Sequence, residues 1–205
     1  CVFVDDNGYL VQIGEDNNMG LSYLGGKSWT EITREERFFC QEFYRELTED
    51  GLRIFIEFLY SKGLRIDPYS TYEAGFEVCF YRDLKFKGLF HGKKSEYSPK
   101  RTFDLCLFSE NEMVIIEAKV SEGLTNKQMD DFEKDLKWVP NALGNEDFKV
   151  HLVALISSEY SPTPITQNRF DKIFTWRQIS DLFPQNKIFE RTDRIFCEKQ
   201  ISANT

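Results

Sequence analysis

Two apolar runs, residues 102–108 and 113–120, constrain the fold of this chain more than any other feature of its sequence. The polar segment 109–112 separates them, and its length and composition favour a tight turn between two strands. A segment rich in helix formers follows at 125–138, and a continuous apolar run follows at 150–156. This order predicts an antiparallel hairpin whose second strand leads through a crossover helix into a parallel strand that is buried on both faces.

A helix is predicted before this hairpin. A capping box that begins at Thr33 marks its start, because the hydroxyl group and a glutamate three residues later can each satisfy a free helical N–H group. Within the helix Phe39, Phe43 and Leu47 repeat at intervals of four residues and define the core face. Glu46 lies at the flank of that face, so its carboxylate is placed near the core side.

Three further segments complete the predicted elements. The apolar run 52–60 predicts a second, buried helix, and the alternation of apolar and polar residues in 74–86 predicts a strand. The run 173–176 predicts a short strand that leads into a helix at 177–183. We therefore expect an α/β fold in which a mixed central sheet, a three-stranded meander plus a strand after the crossover helix, is flanked by helices.

The crossover helix itself has a predicted core face and a predicted end. Met129, Phe132 and Leu136 fall on one side of the 125–138 segment, and Pro140 is expected to break the helix soon after it.

Length and composition fit one domain. The chain has 205 residues, of which 41% are hydrophobic, which is enough for a sizeable core. We expect a single domain over 1–205 with its core at about 33–156. Residues 1–30, with two short β-like pieces, form an N-terminal extension, and 157–205 form a C-terminal extension of strand and helix.

Cysteine spacing and hydropathy bear on the compartment. The five cysteines are widely spaced and include no CxxC pair, so they are read as thiols in a reducing environment. No apolar stretch approaches the roughly 18 to 20 residues that cross a bilayer. We therefore expect a cytoplasmic protein that has no membrane partner.

The charge of the chain disfavours nucleic-acid binding as a whole but leaves room for it locally. The formal net charge is −8, and a negative field repels polyanions. Residues 82–101, however, contain seven basic and two acidic side chains. This stretch is either a phosphate-binding patch, for which Lys93, Lys94, Lys100 and Arg101 are the candidates, or a solvated loop.

Glu117 and Lys119 lie two residues apart in the second apolar run, so they project from the same face of the predicted strand. Asp104 lies within the run that pairs with it, and the hairpin would bring Asp104 close to Glu117. Burying charge in such strands costs several kcal/mol unless the charge is paired or binds a metal. Two adjacent carboxylates predict a hard divalent cation, Mg²⁺ or Mn²⁺, and an adjacent ammonium group could orient the attacking water in phosphodiester hydrolysis.

Asp104, twelve further residues, and then Glu117, Ala118 and Lys119 resemble the D-x(n)-E-x-K signature of the PD-(D/E)XK nuclease superfamily, as does the order of elements over about 33–156. Phe103 stands where that family often has proline. The resemblance implies a restriction-endonuclease-like fold, a metal bound by Asp104 and Glu117, Lys119 as the water-positioning residue, and DNA as the commonest substrate.

The same resemblance suggests two further site residues. Members of the family often add a helical glutamate to the metal site, and Glu46 is the candidate, with Glu42 as the alternative. A subset of the family has Gln-x-x-x-Tyr on the following helix. Here Gln128 is present and Phe132 replaces the tyrosine. Gln128 is either a contact to the substrate or to Lys119, or an exposed helix residue.

Three functions follow. The first is a Mg²⁺-dependent DNA nuclease of a restriction, repair or mobile-element defence system, possible as a homodimer because cutting both strands in one encounter needs two sites. The second is an inactive module on the same fold that binds nucleic acid or protein. The third is a nuclease that cuts RNA with the same residues.

His151, Trp138 and Trp176 are expected to pack in the core rather than bind a ligand.

Overall fold

The computed structural model describes the backbone of residues 2–4, 10–12, 20–93, 97–98 and 100–203, and the side chains of residues 20–93, 97–98, 100–125 and 130–201. The chain divides into two compact units, residues 1–33 and residues 34–205. None of the helices in these described ranges has the length and apolar character that crossing a membrane requires.

The first unit contains the two short strands expected near the N-terminus. Strand β1 (Val2–Val4) pairs antiparallel with β2 (Leu10–Gln12). A single 3-10 turn at Ser22–Leu24 and a short helix α1 (Trp29–Ile32) follow. The backbone N–H of Ser28 donates to Glu31 Oε2 at 2.6 Å and so satisfies one donor at the start of α1.

The second unit alternates helices and strands. Its elements are α2 (Glu36–Glu46), α3 (Glu49–Ser61), β3 (Glu73–Val78), α4 (Phe80–Lys87), β4 (Phe103–Phe108), β5 (Glu112–Ala118), α5 (Asn126–Leu143), β6 (Lys149–Ile156), α6 (Pro164–Gln167), β7 (Lys172–Thr175), α7 (Trp176–Leu182) and α8 (Ile188–Ala203). The strands form one sheet in the order β3-β4-β5-β6-β7. Strands β3, β4 and β5 pair antiparallel, whereas β6 and β7 run parallel to β5. The predicted α/β class, the hairpin and the parallel crossover are thus confirmed.

Helices cover both faces of this sheet. On one face Val114, Ile116 and Ala118 of β5 pack in a core that includes Phe39 and Phe43 of α2. On the other face the alternate residues of β5 pack against helices α4 and α5 in a second core. Burial on both faces explains why β5 is apolar along nearly its whole length.

The segment predicted as one long strand at 74–86 is a strand followed by a helix. Glu77 has a φ of 52°, in the left-handed region that non-glycine residues rarely adopt, and β3 ends at Val78. Helix α4 then begins at Phe80 and buries both Phe80 and Tyr81. The aromatic residues that suggested a continuing strand therefore belong to the first turn of a helix.

Helix α5 also differs from the prediction. It continues through Pro140 to Leu143, and Leu136 is 39% exposed instead of facing the core. The inward-facing side chains that the structure describes include Phe132, Val139, Ala142 and a buried aspartate, Asp135. The side chain of Met129, which was also predicted to face the core, lies outside the described residues. Proline lacks the N–H group that would donate to the carbonyl oxygen of Leu136. The helix tolerates this loss because Leu136 lies on its exposed side.

Candidate functional site

The β4–β5 hairpin places the two predicted acids opposite one another. Leu105 pairs with Ile116, so the next pair in the register consists of Asp104 and Glu117. The backbone N–H of Ala118 donates to Asp104 Oδ2 at 2.9 Å, which fixes the orientation of that carboxylate. The hairpin therefore presents both carboxylates at the same end of the sheet, as the sequence predicted.

Lys119 follows the last residue of β5, and both its ammonium group and its backbone form defined contacts. Its Nζ lies 2.8 Å from Glu117 Oε1 and 2.9 Å from Glu36 Oε1, and it donates to the carbonyl oxygen of Ala118 at 2.9 Å. Its backbone is fixed as well, because its N–H donates to Leu155 O and its own carbonyl accepts from Trp176 Nε1. The ammonium group thus has a single defined position between two glutamates.

Glu36 is a site residue that sequence reasoning missed. The capping box that begins at Thr33 predicts Glu36 as the capping glutamate of a helix that starts after Thr33, but helix α2 begins at Glu36 itself. Its carboxylate contacts Lys119 and accepts from the backbone N–H of Val120 at 3.3 Å. The one available signal was an acidic residue at the start of the first core helix, and the capping pattern concealed it.

Burial and mutual repulsion shift the titration of these groups. Burial, and then the negative charge of Asp104, raises the pKa of Glu117 to about 8, although Lys119 opposes the change. Burial also raises the pKa of Glu36. Burial alone would lower the pKa of Lys119, but the two adjacent glutamates outweigh it and raise the pKa. The ammonium group therefore stays charged while Glu117 holds its proton near neutral pH.

These residues lie in an open cleft of about 620 Å³. Six acidic and four basic side chains line it, a formal excess of two negative charges; they are Glu35, Glu36, Glu77, Asp104, Glu117, Asp131 and Arg37, Lys100, Arg101, Lys119. A polyanion would enter such a cleft only if a further cation balanced the acids. The cleft has room for a ligand, and its charge favours binding of a cation.

The ligands available for a cation are carboxylate oxygens. Asp104 Oδ2 and Glu117 Oε1 take part in the contacts to Ala118 and Lys119, and a hydrogen bond between the two carboxyl groups contributes to the raised pKa of Glu117. Among the residues that the structure describes, no group of three or more His, Cys, Asp and Glu side chains could hold a metal ion. Mg²⁺ does not need three protein ligands, because it usually binds one or two carboxylates and completes its coordination shell with water and substrate oxygens.

Glu46, the predicted helical ligand, does not join this cluster. It is the last residue of α2, ten residues beyond Glu36 and therefore about 15 Å further along the helix axis. Its Oε1 accepts from Asn186 Nδ2 at 2.8 Å. The alternative candidate, Glu42, pairs with Arg45 at 3.0 Å. The helical glutamate at the site is Glu36, because the first turn of α2, not its last, meets the end of β5.

The predicted substrate contacts divide into three groups. Lys100 and Arg101 line the cleft with the acids. Lys93 is exposed and lines a different cavity beside His91. Lys94 and the side chain of Gln128 lie outside the residues that the structure describes.

The residues expected to pack do so, with one addition. Trp176 is fully buried, and the partly buried Trp138 packs against the second core and borders the cleft. His151 is buried too, but its Nε2 also lies 3.0 Å from Glu112 Oε2, at the far end of β5 from the cleft.

Searches against protein-family models, curated proteins and solved structures found no match for the chain. The resemblance to PD-(D/E)XK nucleases stays a prediction. Functional inference therefore rests on the geometry of the cleft and on the chemistry of its side chains.

Proposed function

We propose that this chain is a metal-dependent nuclease with a restriction-endonuclease-like core that hydrolyses phosphodiester bonds, with DNA as its substrate. The observation that carries the proposal is the convergence of Asp104, Glu117 and Lys119 at one end of the sheet, inside an open cleft. The pattern that suggested these residues is loose, but their placement is specific. Asp104 lies in β4, Glu117 lies in β5, and Lys119 follows β5 directly. The other residues of these strands are apolar except Glu112 at the far end of β5.

The donor set fits a divalent cation. Asp104 and Glu117 lie opposite each other in the register, and the charge of Asp104 contributes to the raised pKa of Glu117. A hard cation with oxygen ligands relieves this repulsion. When bound, Mg²⁺ or Mn²⁺ would polarise a phosphodiester oxygen and lower the pKa of a bound water. Asp104 and Glu117 would hold it.

The remaining cleft residues have roles that follow from their contacts. Lys119 keeps its charge because its pKa is raised, so its ammonium group can orient the attacking water and stabilise negative charge on the phosphate. Glu36 makes a second ionic contact to Lys119, at 2.9 Å, beside that of Glu117. Lys100 and Arg101 can contact the phosphates of the bound strand.

The test is cleavage of plasmid and single-stranded DNA by the purified chain in Mg²⁺, Mn²⁺ or EDTA. We expect cutting with either metal, none in EDTA, and a loss of at least a hundredfold in Asp104→Asn and in Lys119→Ala. Lys62→Ala is the control, because Lys62 is an exposed residue directly after α3 and does not line the cleft. Unchanged cutting in Lys119→Ala would reject this active site.

A second function has an observation in its favour. Lys119 already contacts both Glu117 and Glu36, so these acids are partly neutralised without a metal. This arrangement suits an inactive module that binds nucleic acid or protein on the same fold. Calorimetry separates the two functions: Mg²⁺ or Mn²⁺ binding that is lost in Asp104→Asn favours the nuclease, and its absence in the native chain favours the module. An RNA oligonucleotide in the same cleavage assay tests the third function.

A further inference from the structure

The wall of the cleft contains an arginine that a fully buried carboxylate holds in place. Asp135, on α5, is 0% exposed. Its Oδ2 accepts from Arg101 Nε at 2.9 Å and from Arg101 Nη2 at 2.8 Å. Its Oδ1 accepts from the hydroxyl of Tyr81 at 2.6 Å. Both oxygens of Asp135 are therefore satisfied, and one edge of the guanidinium group is fixed.

Aromatic rings fix the plane of the same guanidinium group. Its central carbon lies 4.4 Å from the ring centroid of Phe132 and 5.2 Å from that of Phe103. Contacts of this length are attractive cation–π interactions, and they leave few other rotamers open to the side chain. Arg101 is therefore placed before any ligand binds.

The fixed arginine still faces the cleft. Its side chain retains 17% of its exposure and lines the same cavity as Asp104 and Glu117. The contact with Asp135 uses Nε and Nη2, so the N–H groups of Nη1 are not part of it. In the described part of the chain, no side chain forms a hydrogen bond with Nη1 that competes with a ligand in the cleft.

Stability alone is a poor reason for this arrangement. Burying a carboxylate and a guanidinium group costs several kcal/mol, and apolar side chains of similar volume often stabilise such a position as well or better. Fixing an arginine beside acidic residues in an open cleft has a clearer use. It lowers the conformational entropy that an anion would otherwise have to remove when it binds.

We propose that Arg101 binds a phosphate oxygen of the phosphodiester group next to the one that is cut, on the same nucleic-acid strand. Asp135 and Tyr81 are positioning residues that act through Arg101. This proposal rests on the proposed nuclease function and specifies how its substrate is held. The planar fork of arginine suits a phosphate, whereas the point charge of lysine does not reproduce that geometry.

Binding of a fluorescein-labelled single-stranded oligonucleotide, measured by anisotropy in Ca²⁺ over a range of salt, tests the proposal without requiring turnover. Arg101→Lys keeps the charge and loses the fork, so we expect Kd to rise about tenfold with the same salt dependence. Arg101→Gln should also reduce the slope of log K against log salt by about 0.7, since one phosphate contact is lost. Arg82→Lys is the matched control, because Arg82 pairs with Asp83 outside the cleft.

The roles of Asp135 and Tyr81 are tested in two backgrounds. In the native chain Asp135→Asn and Tyr81→Phe should each raise Kd and KM, with the larger effect for Asp135→Asn. In an Arg101→Gln background neither should raise them further, because their effect passes through Arg101. Tyr81→Phe removes a single hydroxyl group and keeps the ring, so it serves as the variant if Asp135→Asn fails to fold.

The outcomes distinguish this proposal from the nuclease function. If the native chain cuts DNA and Arg101→Lys binds as tightly as the native chain, the proposal about Arg101 is overturned and the nuclease function stands. If the native chain cuts no nucleic acid but the binding changes follow the pattern above, Arg101 keeps its role and the nuclease function is wrong. Equal effects of Tyr81→Phe in both backgrounds would reduce Tyr81 to a packing residue and overturn its positioning role.

Discussion

Glu117 shows how a charged group of the proposed site can oppose the stability of the fold. The residue is 6% exposed, and its carboxylate interacts with the negative charge of Asp104 and the positive charge of Lys119. Burial and Asp104 outweigh Lys119, so its pKa rises to about 8 from an ordinary value of 4.5. A residue selected only for stability at this position would be apolar, as its strand neighbours are.

The raised pKa predicts how stability depends on pH. Between pH 4.5 and about 8 the folded chain holds a proton on Glu117 that the unfolded chain releases. The free energy of unfolding therefore falls as pH rises through this window, and the loss is complete above pH 8. Glu117→Gln removes this loss of stability. In EDTA the variant should therefore melt at a higher temperature than the native chain, and the difference should be several degrees larger at pH 9 than at pH 6. About 1 kcal/mol shifts the melting temperature by roughly 2–4 °C in a chain of this size.

Thermal unfolding followed by circular dichroism measures this difference. Glu110→Gln is the control, because Glu110 is an exposed residue between β4 and β5 and lies outside the cleft. Addition of Mg²⁺ at pH 9 should raise the melting temperature of the native chain and leave Glu117→Gln unchanged. An equal difference between variant and native chain at both pH values would show that Glu117 does not titrate in this window.

At the scale of the element, helix α2 determines which glutamate reaches the site. Phe39 and Phe43 bury one side of the helix in the core, and Phe43 forms edge-on contacts with Phe55, Trp176 and Phe189. This packing holds the first turn against the end of β5, where Glu36 meets Lys119. Glu46 is carried to the opposite end of the same helix.

A pair of substitutions on this helix tests that assignment. Glu36→Gln should lower metal-dependent cleavage by about 10–100-fold, as loss of a group that orients an active-site residue commonly does. Glu46→Gln should leave cleavage within twofold of the native chain, because Glu46 contacts Asn186 away from the cleft. Initial rates on a plasmid substrate decide the matter. The reverse order of effects would restore Glu46 as the helical site residue.

The elements also show which parts of the fold the sequence could predict. The hairpin and the strand at 150–156 were predicted correctly, because apolar runs bounded by turn residues have few other solutions. The site followed from them, since register alone brings Asp104 to Glu117. Helix α8 was not predicted.

The errors in prediction have local causes. The first turn of α4 was mistaken for strand because Phe80 continues the alternation of Phe76 and Val78, and the break in that pattern depends on the backbone of Glu77. Glu36 and Asp135 were missed for a different reason. Each makes its contacts with residues more than thirty positions away in the chain, and such pairs depend on tertiary packing that no local pattern records.

At the scale of the whole molecule, strand β5 carries a buried glutamate near each end, and the two differ in their surroundings. Glu112 accepts from the backbone N–H of Asp67 at 2.8 Å, from the hydroxyl of Tyr72 at 2.5 Å, and lies 3.0 Å from His151 Nε2. Burial alone would raise the pKa of Glu112, but these contacts outweigh it and lower the pKa. One glutamate thus stabilises the fold when ionised, and the other destabilises it.

The two glutamates should each change the free energy of unfolding in a different pH range, so their contributions can be measured separately. Because the folded pKa of Glu112 lies below 4.5, its contribution is present above that pH and is lost as pH falls through the folded value. Glu112→Gln should therefore cost about 1–3 kcal/mol at pH 6, measured by urea unfolding in EDTA, and the cost should shrink toward pH 3. Glu117→Gln should flatten only the fall in stability between pH 4.5 and about 8. The double variant should show both changes and their sum, because the two residues lie near opposite ends of the strand. Strong non-additivity would mean that the two ends of the sheet are coupled.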